Sequence, residues 1–242
     1  MTINILTLFP GFFDGFLANS IIKRAIAKKA VSFRIIDIRS FSLDRNHRVD
    51  DRPTGGGAGL IMRLEPLVDC LRKSGLTETR KILLTPKGHR YAQADAIRLA
   101  KGGDITLVCG HYEGIDSRFD DYTDEQISLG DFVMTGGEIG AMAIADSVTR
   151  LLPGAIAAES TQEESFGQGL LEYPQYTFPL EYEGKKIPAV LFTGDHGKVR
   201  EWRLAQALRL TFEKRPDLLA NRVFSKEELL LVEKLAKDKK DR

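Results

Sequence analysis

Four segments of the chain combine glycine with side chains able to hold or polarise a ligand. The first is Asp50-Asp51-Arg52-Pro53-Thr54, followed by Gly55, Gly56, Gly57 and Gly59; the second is Leu84-Thr85-Pro86-Lys87-Gly88. The third runs Cys109-Gly110-His111-Tyr112-Glu113-Gly114-Ile115-Asp116, and the fourth Ser128-Leu129-Gly130-Asp131-Phe132-Val133-Met134-Thr135-Gly136-Gly137-Glu138. Glycine permits positive φ and, lacking Cβ, lets backbone N–H and C=O groups lie close to a flat ligand. One such loop is a turn; several at the ends of strands make a pocket. No Gly-x-Gly-x-x-Gly opens a helix after the first strand-like run, and no Gly-Lys-Ser/Thr phosphate loop occurs, which argues against dinucleotides and nucleoside triphosphates. Glu113, Asp116, Asp131 and Glu138 are set against Lys87 alone. An acidic, backbone-lined pocket suits a neutral or cationic nucleoside, and the sulfonium of S-adenosylmethionine meets that description.

Loops of this kind need a scaffold. Ile3 to Phe9 reads as a buried strand, Phe13 to Ala30 as a helix with an apolar stripe, and Val31 to Ile38 as a second strand. After an irregular polar stretch from Arg39 to Gly59 come a helix at Glu65 to Lys73, a strand at Lys81 to Leu84, a helix at Ala92 to Ala100 and a strand at Ile105 to Cys109. Glu138 to Leu152 forms a helix stopped by Pro153-Gly154. Alternating strands and helices imply an α/β fold with a mainly parallel sheet, whose ligands sit beyond the carboxyl ends of the strands. Residues 153 to 184 hold prolines, scattered acids and little periodicity; two helices follow, Gly197 to Lys214 and Ser225 to Lys237. The second opens on a Ser225/Glu228 capping box.

At 242 residues, 43% hydrophobic, the chain can bury one large core or two modest ones. No apolar run approaches the ~20 residues of a membrane span, and the N-terminus lacks a signal-peptide pattern, so a cytoplasmic protein is expected. Cys70 and Cys109 have neither disulfide nor zinc-finger spacing and read as buried thiols; a nucleophilic Cys109 beside His111 is the weaker alternative. The net charge of +1 conceals a division. Residues 173–242 carry 15 basic against 11 acidic side chains, whereas Lys101 to Glu138 carries nine acidic against two basic. A basic C-terminal third fits a polyanion, and it fits ordinary solvated helix faces equally well.

Read together and in order, the four glycine-bearing segments and Gly169-Leu170-Leu171-Glu172-Tyr173-Pro174-Gln175-Tyr176-Thr177 resemble the bacterial tRNA (guanine-N1)-methyltransferases, the TrmD family of the SPOUT class. The likeness extends to Gly194-Asp195-His196 and Trp202-Arg203-Leu204. It implies a deep trefoil knot in the α/β part, a SPOUT-like domain at 1–157 that binds S-adenosylmethionine, a linker at 158–172, and a small, mostly helical tRNA-binding domain at 173–242. It also implies a homodimer with the active site at the subunit interface, acting on the guanine at tRNA position 37. The donor would lie against Leu84, Thr85, Pro86 and Gly88 of one loop and Gly110, Tyr112 and Glu113 of the next. Ser128, Leu129, Gly130, Phe132, Met134, Gly136, Gly137 and Gly140 would complete its site. Asp50, Arg52, Gly55, Gly56, Gly57, Glu172, Arg200 and Arg203 would contact tRNA, and the acidic loops leave room for Mg2+.

Methylation at guanine N1 requires removal of the N1 proton, by a positioned base, and stabilisation of the charge that builds on O6. The resemblance assigns these roles to Glu164, where the family has aspartate, and to Arg150. Two more departures are Gly140, at a position often proline, and Phe178, where arginine is usual. Two alternatives stay open: a catalytically weakened RNA-binding paralogue, and a SPOUT-class enzyme acting on another RNA. Arg150 could also serve as a helix C-terminal cation, Asp50 to Arg52 as a turn cluster, and Trp202 as tail core.

Overall fold

A computed structural model describes residues 1–156, 164–167, 169–220 and 222–240, with side chains to residue 237. Residues 158–163 and 168 of the expected linker lie outside that set. The chain falls into two compact units, Met1–Ala158 and Glu159–Arg242.

The first unit is built on five parallel strands, β1 (Thr2–Thr7), β2 (Ser32–Asp37), β5 (Arg80–Arg90), β6 (Ile105–Cys109) and β7 (Glu125–Ser128), in the order β2-β1-β6-β5-β7. Strand alternation sends Ile3, Ile5, Ile82, Ile105 and Leu107 to one face. There they pack under Ala25 of α2 (Ser20–Ala27), Leu99 of α4 (Gln93–Lys101), and Ala141, Ile144 and Val148 of α5 (Glu138–Thr149). Leu6, Leu83 and Val108 point to the other face, against Leu67, Cys70 and Leu71 of α3 (Leu64–Lys73). Both faces are covered, as parallel sheets require. A two-strand ladder, β3 (Asp50–Asp51) with β4 (Ile61–Met62), spans the glycine run.

Three departures from the sequence reading have local causes. The helix expected from Phe13 to Ala30 is two, α1 (Asp14–Ala18) and α2, broken where Asn19 is extended and Ser20 takes φ +51°. The Asn19 side-chain amide donates to the Gly15 carbonyl at 2.7 Å, satisfying an acceptor that a continuing helix would have used. Strand β5 does not end at Leu84. It pairs with β7 through Leu84↔Ile127, swings out over Thr85 to Gly88, and resumes at His89↔Ile127. Pro86 has no N–H to give a ladder, so the excursion leaves no donor stranded there. Strand β7 itself went unforeseen, because Glu125-Gln126-Ile127-Ser128 has no apolar alternation. Ion pairs hold this edge, with Glu125 accepting from Arg80 at 2.7 Å and from Arg98 at 2.8 Å.

The second unit contains a hairpin, β8 (Glu181–Tyr182) with β9 (Lys185–Lys186), and the helices α6 (His196–Lys214) and α7 (Lys226–Lys240). Leu208, Ala207, Leu170 and Leu219 form its buried centre. Asp195 caps α6 by accepting from Gly197 and Lys198, and the N–H groups so satisfied, led by that of Lys198, hold its carboxyl below the usual range. The capping box of α7 is formed: Ser225 N–H donates to Glu228 at 2.8 Å and Glu228 N–H to Ser225 Oγ at 3.2 Å. No described helix is long and apolar enough to cross a membrane.

Gly88 sits where two backbones meet, and a Cβ there would lie 2.4 Å from the Gln126 carbonyl carbon and from Ile127 N. Gly88→Ala is therefore expected to lower stability by about 1–3 kcal/mol, the usual cost of overpacking. Gly15→Ala, with open space around its Cβ, should be neutral or stabilise by up to ~1 kcal/mol in helix α1; urea unfolding of the two variants checks the contrast. Burial pushes the Cys70 thiol up to about 12. Burial, assisted by the charge of Glu138, raises that of Cys109 well above the ordinary value. Neither thiol should react with an aromatic disulfide reagent in the native protein at pH 8, and both should react at once in denaturant. Rapid native labelling of Cys109 would restore its reading as a nucleophile.

Candidate active site

The excursion of β5 and the carboxyl ends of β6 and β7 surround a cavity of about 440 Å³ in the first unit, a volume within the usual range for small-molecule sites. The excursion of β5 supplies Leu84, Thr85, Pro86 and Lys87, and the loop after β6 supplies Gly110, His111, Tyr112 and Glu113. From the segment between β7 and α5 come Ser128, Leu129, Gly130, Phe132, Met134, Gly136 and Gly137, and from α5 itself Gly140. Gly88, expected among them, is not a lining residue; it makes the backbone crossing that sends the excursion outward. Sequence reasoning missed Ile61, Gln126 and Ile127. Ile127 and Gln126 belong to the unforeseen strand, so no pattern signalled them.

Two loops meet at the floor without side chains between them. Gly137 N–H donates to the Gly110 carbonyl at 2.8 Å, and a Cβ on Gly137 would lie 2.7 Å from Cys109 Cα. Beside them Tyr112 takes φ +58°, a conformation rare outside glycine. Backbone strain of this sort persists only where the surroundings over-determine it. Here His111 packs edge-on to the Tyr112 ring at 5.1 Å and against Phe9 at 4.9 Å. The loop before α5 is braced internally, with Ser128 Oγ accepting from Gly130 N–H and Phe132 N–H donating to the Gly130 carbonyl at 2.9 Å. It is also braced by an ion pair between Arg90 and Asp131.

The charged lining of the cavity is Glu113 and Asp120 against Lys87. Nearby Asp116 is held below the usual carboxylate range, chiefly by the Arg118 guanidinium that donates to it at 2.7 Å. Among the described residues no cluster of three or more histidine, cysteine or acidic side chains is placed to hold a metal.

The remaining predicted residues divide among three places. Asp50 lies in β3 and Arg52, Gly55, Gly56 and Gly57 on exposed loop outside the cavity. The run itself stops short of it, and Ile61 just beyond is a lining residue; Gly59, at φ +79°, leaves room for the Glu113 side chain, and Glu113 N–H donates to the Leu60 carbonyl. Arg150 caps the C-terminus of α5, roughly 17 Å along the helix from its cavity end at 1.5 Å per residue, and is not a lining residue. Glu164, Glu172, Arg200 and Arg203 come together in the second unit, around a cavity of about 270 Å³ shared with Leu170, Tyr173 and Leu204. The Arg203 guanidinium stands 4.7 Å over the Tyr173 ring. Leu171 N–H donates to Thr211 Oγ1 on α6 at 2.9 Å, and Glu172 N–H to Ser165 Oγ at 2.9 Å, which fixes the segment bearing both glutamates. Trp202 is half-buried with its ring 6.3 Å from that of Tyr176.

A family profile described as tRNA (Guanine-1)-methyltransferase TrmD matches residues 1–221. Curated relatives bearing the name tRNA (guanine-N(1)-)-methyltransferase include one from Geobacillus kaustophilus, 50% identical over 90% of this chain and 91% of its own. One from Halalkalibacterium halodurans is 48% identical over 98% of both chains, and one from Fusobacterium nucleatum 47% identical over 98% and 99%. With its strand-end loops in the family order and the match running through both units, the chain belongs to the tRNA (guanine-1)-methyltransferase TrmD family.

Proposed function

We propose that the protein transfers the methyl group of S-adenosylmethionine to N1 of the guanine at tRNA position 37, 3′ of the anticodon. In this reading it works in the cytoplasm as a homodimer. The observation that carries the reading is the glycine-floored cavity of the first unit. A Cβ on Gly137 would lie 2.7 Å from Cys109 Cα, so peptide rather than side chain forms this part of the wall, a surface on which a flat adenine can lie. Two acids against one lysine in the lining suit the positive sulfonium. The reading includes the trefoil knot that the resemblance implies at this end of the sheet.

The donor supplies an electrophilic methyl on sulfur, and this chain's residues prepare the acceptor. The Glu164 carboxylate takes the N1 proton; the freed N1 lone pair forms the N–CH3 bond as the C–S bond breaks, and the sulfur leaves as the neutral thioether. Arg150 holds the negative charge that collects on O6. Arg150 is a helix-length from the cavity of its own unit. A homodimer resolves this, since Arg150 and Glu164 can be presented to the donor cavity of a second copy. Arg200 and Arg203 on α6, beside Glu172, then face the RNA, with Arg52 and the exposed glycine run contributing phosphate or backbone contacts. A Mg2+ ion, if the reaction uses one, would meet Glu113 and Asp120, the acids of the cavity lining.

Glu164→Gln should bind donor normally and lose at least ~10²-fold in turnover, the usual worth of a positioned general base; unchanged turnover in a single-turnover methylation assay would remove it as base. Donor binding by wild type with no methylation under any condition would select the weakened-paralogue reading that the glutamate substitution favours. Arg150→Ala should lose ~10²-fold or more in methyl transfer with tRNA still bound, as gel shift and rate measurement together would show. Gly140→Leu, which pushes bulk between Leu84 and Leu129, should abolish donor binding by calorimetry.

A further inference from the structure

Among the described residues of the first unit, Glu138 is the only acidic residue in the buried core, 4% exposed. Burying a carboxylate is costly unless its oxygens are used, and the ordinary mechanism does not call on this one. One oxygen is engaged: Thr7 Oγ1 donates to Glu138 Oε1 at 2.8 Å while accepting from Phe9 N–H at 2.9 Å. Thr7 ends β1 and Glu138 begins α5, so the bond ties the central part of the sheet to the helix that borders the cavity. The N-terminus of α5, with its unpaired N–H groups, favours a negative charge at that spot.

The second oxygen points toward the cavity wall. A Cβ on Gly136 would lie 2.4 Å from Glu138 Oε2 and 2.5 Å from His111 Nδ1, so both atoms converge on the same space beside that glycine. His111 Nδ1 is buried and has no hydrogen-bond partner, although its ring lines the cavity and packs on Phe9 and Tyr112. His111 and Gly136 also pair as an isolated antiparallel bridge. The carboxylate thus lies behind the junction of the two loops that form the floor.

We propose that Glu138 is a positioning residue for the donor: anchored by Thr7 at one oxygen, it sets through the other the placement of His111, and with it the strained Tyr112 and the Gly110–Gly137 contact. The inference rests on the reading that this cavity takes S-adenosylmethionine. Thr7→Val keeps the volume and deletes the hydroxyl, whereas Thr7→Ser restores it. Glu138→Gln keeps one oxygen and loses the other.

The test measures KM for S-adenosylmethionine and for tRNA, kcat, and calorimetric donor binding on folded full-length protein, with Gly140→Leu alongside. Thr7→Val, which deletes a hydrogen bond to the carboxylate, is expected to raise the donor KM and Kd about tenfold, and Glu138→Gln, which removes the charge beside His111, to raise both in the same direction. The tRNA KM should stay unchanged, and Thr7→Ser should return to within about twofold of wild type. A role in folding alone would lower the melting temperature and the active fraction while the folded enzyme kept its donor KM, and that result overturns the proposal. Wild-type donor binding by Glu138→Gln would overturn it through the His111 side. If Gly140→Leu also binds donor normally, the donor reading of the cavity fails first; if it does not bind while Thr7→Val does, only the role of Glu138 fails.

Discussion

Two protein backbones can lie in contact only where neither carries a side chain at the point of approach. That constraint operates twice in the first unit, at Gly88 against Gln126 and Ile127 and at Gly137 against Cys109. The first crossing sends the β5 backbone out of the ladder over four residues and brings it back. The second lets the loop before α5 hydrogen-bond to the loop after β6. Between them they create a cavity whose floor is peptide rather than side chain, and the rest of the unit holds those crossings in place. The core on one face presses α5 onto β1 and β6, and ion pairs from Arg80 and Arg98 pin the polar edge strand.

The chemistry is distributed. The cavity in the first unit offers a cradle with an acidic lining, while the second unit gathers two glutamates and two arginines around a smaller hollow. The near-zero net charge of the whole chain conceals this division, with acids concentrated between Lys101 and Glu138 and a basic excess after residue 173. In the proposed reading one part attracts a sulfonium and the other a phosphate backbone, and neither alone completes the reaction.

What the residues disclosed in advance followed from what each type of interaction leaves in a sequence. Buried strands such as Ile105–Cys109 announce themselves by apolar content, and the capping box of α7 by the Ser225/Glu228 spacing. The cavity loops were legible because close backbone approach demands glycine. Strand β7 was not, since an edge held by ion pairs needs no apolar alternation. The break at Ser20 was missed because the apolar stripe continues across it. Gly88 was read as a ligand contact for the same reason that made it a crossing: both need a missing Cβ. The gathering of Glu164, Glu172, Arg200 and Arg203 is a tertiary fact that no local pattern encodes.

The central claim is that the donor cavity serves a single acceptor atom in tRNA. It is tested most directly by incubating the purified protein with labelled S-adenosylmethionine and unmodified tRNA, digesting the product, and locating the methylated nucleotide by mass spectrometry. The account predicts one methyl group on N1 of the guanine at position 37, and none on a transcript in which that guanine is replaced. A methyl group on another nucleotide, or at another atom of that guanine, would contradict it.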